Sequence, residues 1–147
     1  MKKIKLTQGK YALVDDEDYE ELNKYTWCYN KGYAFRWRSG VGMYYMHREI
    51  LGTPKGVYTD HINSNGIDNR RKNLRMCTQQ QNTWNKKVRN DSKSGIKGVS
   101  PSKNNRWVAK IRSNKIIYHL GTFNSKKAAS LAYRKKAKEL YGEFARR

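Results

Sequence analysis

From Lys86 to Ser94 the chain runs for nine residues with one apolar side chain, Val88, and the hydrophobic pattern on its two sides differs. A polar stretch of that kind does not thread a core, because its backbone and charges would be buried without partners. With 147 residues and 37% hydrophobic content, a chain interrupted there builds two modest cores rather than one large one. The expected organisation is therefore a first domain over residues 1–88, a basic linker over 89–94 and a second domain over 95–147.

Before the break the periodicities are short. Lys10 to Val14 alternates loosely and meets Asp15-Asp16, an acidic helix start followed by Tyr19 and Leu22 at helical spacing. Trp27 to Trp37 mixes aromatics with Gly32, and Met43 to Leu51 reads as a buried strand containing His47. This part is expected to be a small antiparallel scaffold. Gly56 to His61 and Leu74 to Cys77 are strand-like on either side of the loop formers Asn63 to Asn69. Thr78-Gln79-Gln80-Gln81 then fits a capping box and predicts a helix with Asn82 in its first turn.

After the break, Ile96 to Ser100, Trp107 to Arg112 and Ile116 to Phe123 predict a three-stranded meander. Ser125 is a good N-cap, and Ala129, Ala132, Tyr133, Ala137, Leu140, Tyr141 and Phe144 recur at helical spacing to cover the sheet. The fold class is thus α+β.

Thirty-two Lys and Arg against twelve Asp and Glu give a formal net charge of +20. Self-repulsion on that scale points to a polyanionic partner, with nucleic acid the first choice. The charge is uneven. Half the acids lie between Asp15 and Glu21, and from Gly95 onward fourteen basic residues meet only Glu139 and Glu143. Cys28 and Cys77 stand apart and there are three histidines, which supports neither a zinc finger nor a disulfide framework. No segment has the length and apolarity of a membrane span or a secretion signal, so a cytoplasmic protein without a membrane partner is expected, in a bacterial or phage-infected cell.

The residues with chemistry are Asp60-His61, Asn73 and Asn82. Asp and Asn offer oxygen ligands suited to a hard divalent cation, and a histidine beside them takes a proton from water near neutral pH. In a regular strand Asp60 and His61 point to opposite sides, so spacing alone does not aim both at one substrate. Arg70, Arg71 and Arg75 fit phosphate contacts or a solvated face, and Lys86 and Lys87 could follow a nucleic-acid backbone.

Gly56 to Asn85, with Asp60-His61, Asn63, Asn69, Asn73-Leu74-Arg75 and Gln81-Asn82, resembles the HNH endonucleases, and within them the homing enzymes encoded by phages and introns. The resemblance implies a ββα-metal centre. It makes His61 the general base, gives Asp60 and Asn82 the metal and sets Asn73 to brace the loop; Arg75, by its position between Asn73 and the helix, is the arginine expected to meet the cleaved strand. Asn82 stands where other members carry a histidine, which favours Mg2+ or another divalent cation such as Mn2+ over zinc. No other small-molecule cofactor is implied. Met46-His47-Arg48 also resembles a segment preceding the centre, and a structural role is expected for His47.

Gly95 to Phe144 resembles the Apetala and ethylene-response type of DNA-binding domain, through Gly98-Val99, Trp107 to Arg112, Leu120 to Phe123, Ala128-Ala129 and Ala132-Tyr133. It implies a sheet in the major groove of double-stranded DNA, with Lys97, Ser100, Arg106, Lys110, Arg112 and His119 facing it. Ser100 and His119 replace an arginine and a tryptophan of that family, so its base preference does not transfer. Trp107 is core or contact with equal weight. Together the two resemblances imply a site-specific endonuclease, and a single centre with no evident dimer interface makes a nicking monomer the expectation; a DNA-binding regulator with a degenerate nuclease half, or an RNA-binding protein, are the alternatives.

Overall fold

The computed structural model describes residues Met1 to Arg146. The chain is α+β, with four small antiparallel sheets and four α-helices among the described residues. It divides into two compact units between Thr83 and Trp84. Among the described residues no helix is long and apolar enough to cross a membrane.

The first unit opens with a hairpin of β1 (Lys2–Lys5) and β2 (Tyr11–Val14). β1 went unread because Lys2, Lys3 and Lys5 flank its one inward residue, Ile4. Helix α1 (Asp16–Leu22) follows Asp15, whose carboxylate accepts from the Arg71 backbone amide (2.7 Å) and does not cap the helix. β3 (Cys28–Asn30), β4 (Tyr33–Arg38) and β5 (Gly42–Tyr45) form a three-stranded meander. Ile4, Leu6, Ala12, Val14, Leu22, Trp27, Ala34, Met46, Ile50 and Leu74 make the core. Trp27 is its largest member, fully buried, with its indole N–H donating to the Leu22 carbonyl (2.8 Å).

The expected strand from Met43 to Leu51 breaks at Tyr45, and Met46–Leu51 is helix α2. Met46, His47 and Ile50 fall on one helical face and are buried, a spacing that a continuous apolar run conceals. Gly52, at φ +57°, ends the helix, donating to the Arg48 and Glu49 carbonyls.

β6 (Tyr58–His61) and β7 (Leu74–Cys77) pair with Asp60 opposite Arg75 and His61 opposite Leu74. Helix α3 (Gln79–Asn85) follows. Its N-terminus is the expected capping box: the Thr78 amide donates to Gln81 Oε1 (2.8 Å) and the Gln81 amide to Thr78 Oγ (3.2 Å).

In the second unit, residues 86–98 form turns outside any helix or strand. Ser94 is buried there and donates to the Val99 carbonyl (2.6 Å). β8 (Val99–Pro101), β9 (Trp107–Ser113) and β10 (Ile116–Phe123) form an antiparallel sheet with β9 central. Helix α4 (Lys126–Tyr141) begins at the Ser125 cap, whose hydroxyl accepts from the Ala128 amide (3.1 Å). Its Ala129, Tyr133 and Ala137 are buried together with Val99, Ala109 and Ile111 of the strands. A Cβ at Gly98 would lie 2.1 Å from the Tyr133 ring and 2.4 Å from the Lys110 carbonyl, so only glycine fits.

Candidate catalytic centre

Adjacent residues of β6 serve two different environments. The Asp60 carboxylate turns to its cross-strand neighbour, and Arg75 donates to Oδ2 through Nε (3.0 Å) and Nη2 (2.8 Å). Both side chains are largely buried, so removing either would leave the other's charge buried without this partner. Cys77, two residues along β7 from Arg75, reports on the same neighbourhood. Burial pushes its thiol up to about 11; the Asp60 charge adds to the rise, and backbone hydrogen bonding from Asn82 opposes it. The Asp60 charge and the Asn82 backbone thus both act on this thiol from separate elements of the chain.

His61 enters a cluster of rings. Its Nε2 lies 3.0 Å from Asn69 Oδ1. The Asn69 amide nitrogen donates to Met46 Sδ (3.4 Å), which leaves its carbonyl oxygen for the histidine. Nε2 thus carries the proton and Nδ1 the lone pair of the neutral ring. The His61 pKa is lowered, mainly by burial, against opposing effects of Asn69, Asp60 and Asp68. The ring is accordingly neutral at physiological pH. Around it stand His47, edge-on at 5.0 Å between ring centroids, and Tyr33 at 5.8 Å. His47 is buried, with Nδ1 lacking a hydrogen-bond partner among the described residues, and burial holds it neutral with a pKa of about 3.

The loop between β6 and β7 is braced from within. Asn73 accepts from the Asn63 amide (3.0 Å), donates to the Asp68 carbonyl (2.7 Å), and its own carbonyl receives the Ile62 amide (2.9 Å). Asp68 accepts from Asn63 Nδ2 (2.8 Å) and from Arg70 through Nε (2.7 Å) and Nη2 (2.6 Å). The Leu13 amide donates to Ile67 O and its carbonyl accepts from the Asn69 amide, so β2 fixes the far side of the loop. The scaffold hairpin holds the segment that orients His61.

A chain from the mimivirus of Acanthamoeba polyphaga described as an uncharacterized HNH endonuclease is 32% identical over 145 residues, covering 94% of this chain and 74% of the relative. The chain belongs to the HNH endonuclease family. Protein 3.8 of Escherichia phage T7 is 33% identical over 94 residues, covering 63% of this chain and 77% of the relative. No protein-family profile and no solved structure matches the chain.

Within this HNH chain several basic residues expected to meet nucleic acid are turned elsewhere. Arg70 is committed to Asp68, and Arg71 binds Asp18 through Nε (3.0 Å) and Nη2 (2.6 Å) and Glu17 through Nε (2.8 Å). The acidic stretch at α1 is what draws Arg71 in, a partner fifty-three residues away that local sequence does not disclose. Lys97 donates to the Trp84 carbonyl (2.8 Å) and the Lys86 carbonyl (3.3 Å), and burial pulls its pKa down to about 8. It serves as a main-chain cap inside the second unit.

Lys86 and Lys87 are exposed. On the second sheet Lys110 and Arg112 alternate with buried Ala109, Ile111 and Ser113, so they share the face turned from α4. The register sets His119 opposite Lys110 and Ser100 opposite Val108, which adds both to that face. Arg106 is exposed at its edge, with Nη2 3.3 Å from the Thr122 carbonyl. Trp107 is half-buried, with Lys126 Nζ 5.7 Å over its ring.

Sequence reading assigned no role to Asn69 or Asp68, which orient the histidine and close the loop. The available signal was the triplet Asp68-Asn69-Arg70, three polar residues in a row directly after a turn-forming segment.

Proposed function

We propose that the chain is a site-specific DNA endonuclease of homing type, in which the β6–β7–α3 segment hydrolyses a phosphodiester and the basic face of the second sheet holds duplex DNA. The observation that carries this reading is the neutral His61, fixed by Asn69 in the tautomer with its lone pair on Nδ1. A base in that state removes a proton from water as water attacks phosphorus, and its lowered pKa keeps it competent below the usual histidine range.

The donor set fits a hard cation. Asp60 supplies a buried carboxylate and Asn82 an amide oxygen, both suited to Mg2+ or Mn2+. Among the described residues no three His, Cys, Asp or Glu side chains come together as a metal cluster, so a cation here would have these two protein oxygens and otherwise water and phosphate. Bound there, it would neutralise charge on the scissile phosphate and its leaving oxygen. Arg75 shares the Asp60 carboxylate and places a second positive charge beside the same position. Asn73 keeps the loop closed while His61 gains and returns its proton.

In the second unit, Ser100, Arg106, Lys110, Arg112 and His119 offer hydrogen-bond donors and positive charge on one exposed face, the character expected of an Apetala-type sheet in a major groove. On this reading cutting lies before residue 88 and DNA holding after residue 95, in a monomer that nicks one strand.

The test is conversion of supercoiled plasmid carrying the chain's own flanking sequence. Open-circular product with Mg2+, abolished by EDTA and by Asp60→Ala or Asn82→Ala, is expected. Intact plasmid under every divalent cation, with tight binding retained, would leave a DNA-binding regulator in its place.

A further inference from the structure

β4 sets Tyr33, Phe35 and Trp37 on one face, and the register places Tyr45 opposite Phe35 and Met43 opposite Trp37. Phe35 is buried between Trp37 (6.2 Å, 83°) and Tyr45 (6.5 Å). Tyr45 stacks on His47 (5.3 Å, 18°), and His47 meets His61. Rings thus run without a gap from the His61 base out to Trp37. The outer end is in solvent: Trp37 is 70% exposed, Val41 at the hairpin tip 57%, and Tyr33 41% even though its ring touches His61. Tyr33 is also pinned. A Cβ at Gly66 would lie 2.4 Å from the Gly32 carbonyl and 2.6 Å from the Tyr33 ring, so the β6–β7 loop presses directly on it.

The surroundings are basic. Residues 23–58 contain Lys24, Lys31, Arg36, Arg38, Arg48 and Lys55 against the single acid Glu49. Glu49 is already committed to Arg36 (2.8 and 3.1 Å), while Lys31 and Arg38 remain exposed beside Tyr33 and Trp37. An exposed indole and phenol between exposed cations match a nucleic-acid surface, where π-faces meet bases and the cations meet phosphates. A two-stranded arm with glycines at its tip, Gly40 and Gly42, is also narrow enough to enter a groove.

We propose that the β4–β5 arm is a DNA-contacting surface of the first unit, with Tyr33 positioning the nucleotide beside the bond that His61 addresses and Trp37 stacking against a base farther along. Four residues of strand separate the two rings by roughly 13 Å. That is a reach of about four nucleotides at the rise of one strand. The arm supplies contact next to the cut, separate from the grip of the second sheet. The proposal rests on the endonuclease reading for its geometry and on the exposed rings for its partner.

Photo-crosslinking of the full chain to a duplex carrying 5-iododeoxyuridine, in EDTA so that nothing is cut, tests it. Crosslinks on Trp37 or Tyr33 are expected, and crosslinks confined to other peptides, or obtained on the arm with structured RNA and not with DNA, would overturn it. In parallel, Trp37→Ala should raise the DNA concentration for half-maximal binding near the cut about 5-fold or more, with recovery in Trp37→Phe; an unchanged Trp37→Ala overturns the arm as well. A wild-type chain that crosslinks through the arm but cuts no DNA would defeat the nuclease reading and leave the arm standing.

Discussion

The β6–β7 hairpin and the β9–β10 hairpin both place charged residues on paired strands, yet they treat those charges in opposite ways. In the first, Asp60 meets Arg75, Asp68 meets Arg70, and His61 is fixed by Asn69, all with little exposure. In the second, Lys110, Arg112 and His119 stand on an exposed face. Burial with full partnering fixes a side chain to a fraction of an ångström and tunes its proton affinity, which chemistry requires. Exposure leaves long side chains free to follow a phosphate backbone, which binding requires. That difference is what supports the proposal that the first unit cuts and the second holds.

The largest expected effect belongs to the buried side. His61→Ala should lower the cleavage rate by about 10²- to 10⁴-fold, with duplex affinity unchanged in a gel-shift titration. Loss of affinity in step with rate would erase the contrast between the hairpins. Next comes Asn69→Ala, which removes the acceptor that sets the His61 tautomer. By analogy with groups that orient a ligating histidine, a rate loss of about 10- to 100-fold is expected, with melting temperature measured alongside to separate orientation from folding. On the exposed side, Lys110→Ala with Arg112→Ala should weaken binding and reduce the slope of log affinity against log salt by about one per residue. A slope that does not move would take these side chains off the DNA.

The last effect is on stability and leaves activity near neutral pH unchanged. His47 is held neutral with a pKa of about 3, below its ordinary 6.5, so the unfolded chain binds its proton first as pH falls. The native state should then lose about 1.4 kcal/mol per pH unit from this group between pH 6.5 and 3, and nothing from it above 6.5. His47→Phe should flatten that acid limb in urea titrations; a limb of equal steepness would assign the loss elsewhere.

Much of this was legible in the sequence because the signals were local. The Thr78 to Gln81 box, the Ser125 cap, the three strands after Gly95 and the strand that carries Asp60 and His61 all depend on residues within one turn or one strand of each other. What stayed hidden was long-range. Arg71 reads as a phosphate contact or a solvated residue until α1 is seen to supply Asp18, and Lys97 reads as a DNA contact until the Trp84 carbonyl is seen to take it. Met43 to Leu51 failed for another reason. Its apolar run fits a strand or a helix equally, and packing of Met46, His47 and Ile50 into the core decided for the helix after Tyr45. Asn69 was visible as part of a motif, but its task depends on Met46 holding its amide from a separate element.

The division of labour is tested most directly by single-turnover cleavage of one duplex across a range of protein concentrations reaching saturation, comparing His61→Ala with the Lys110→Ala, Arg112→Ala double variant. The account predicts that the double variant recovers the wild-type rate once DNA is saturated, whereas His61→Ala stays slow at every concentration. A His61→Ala chain that regains full rate at saturation, or a double variant that stays slow there, would contradict it.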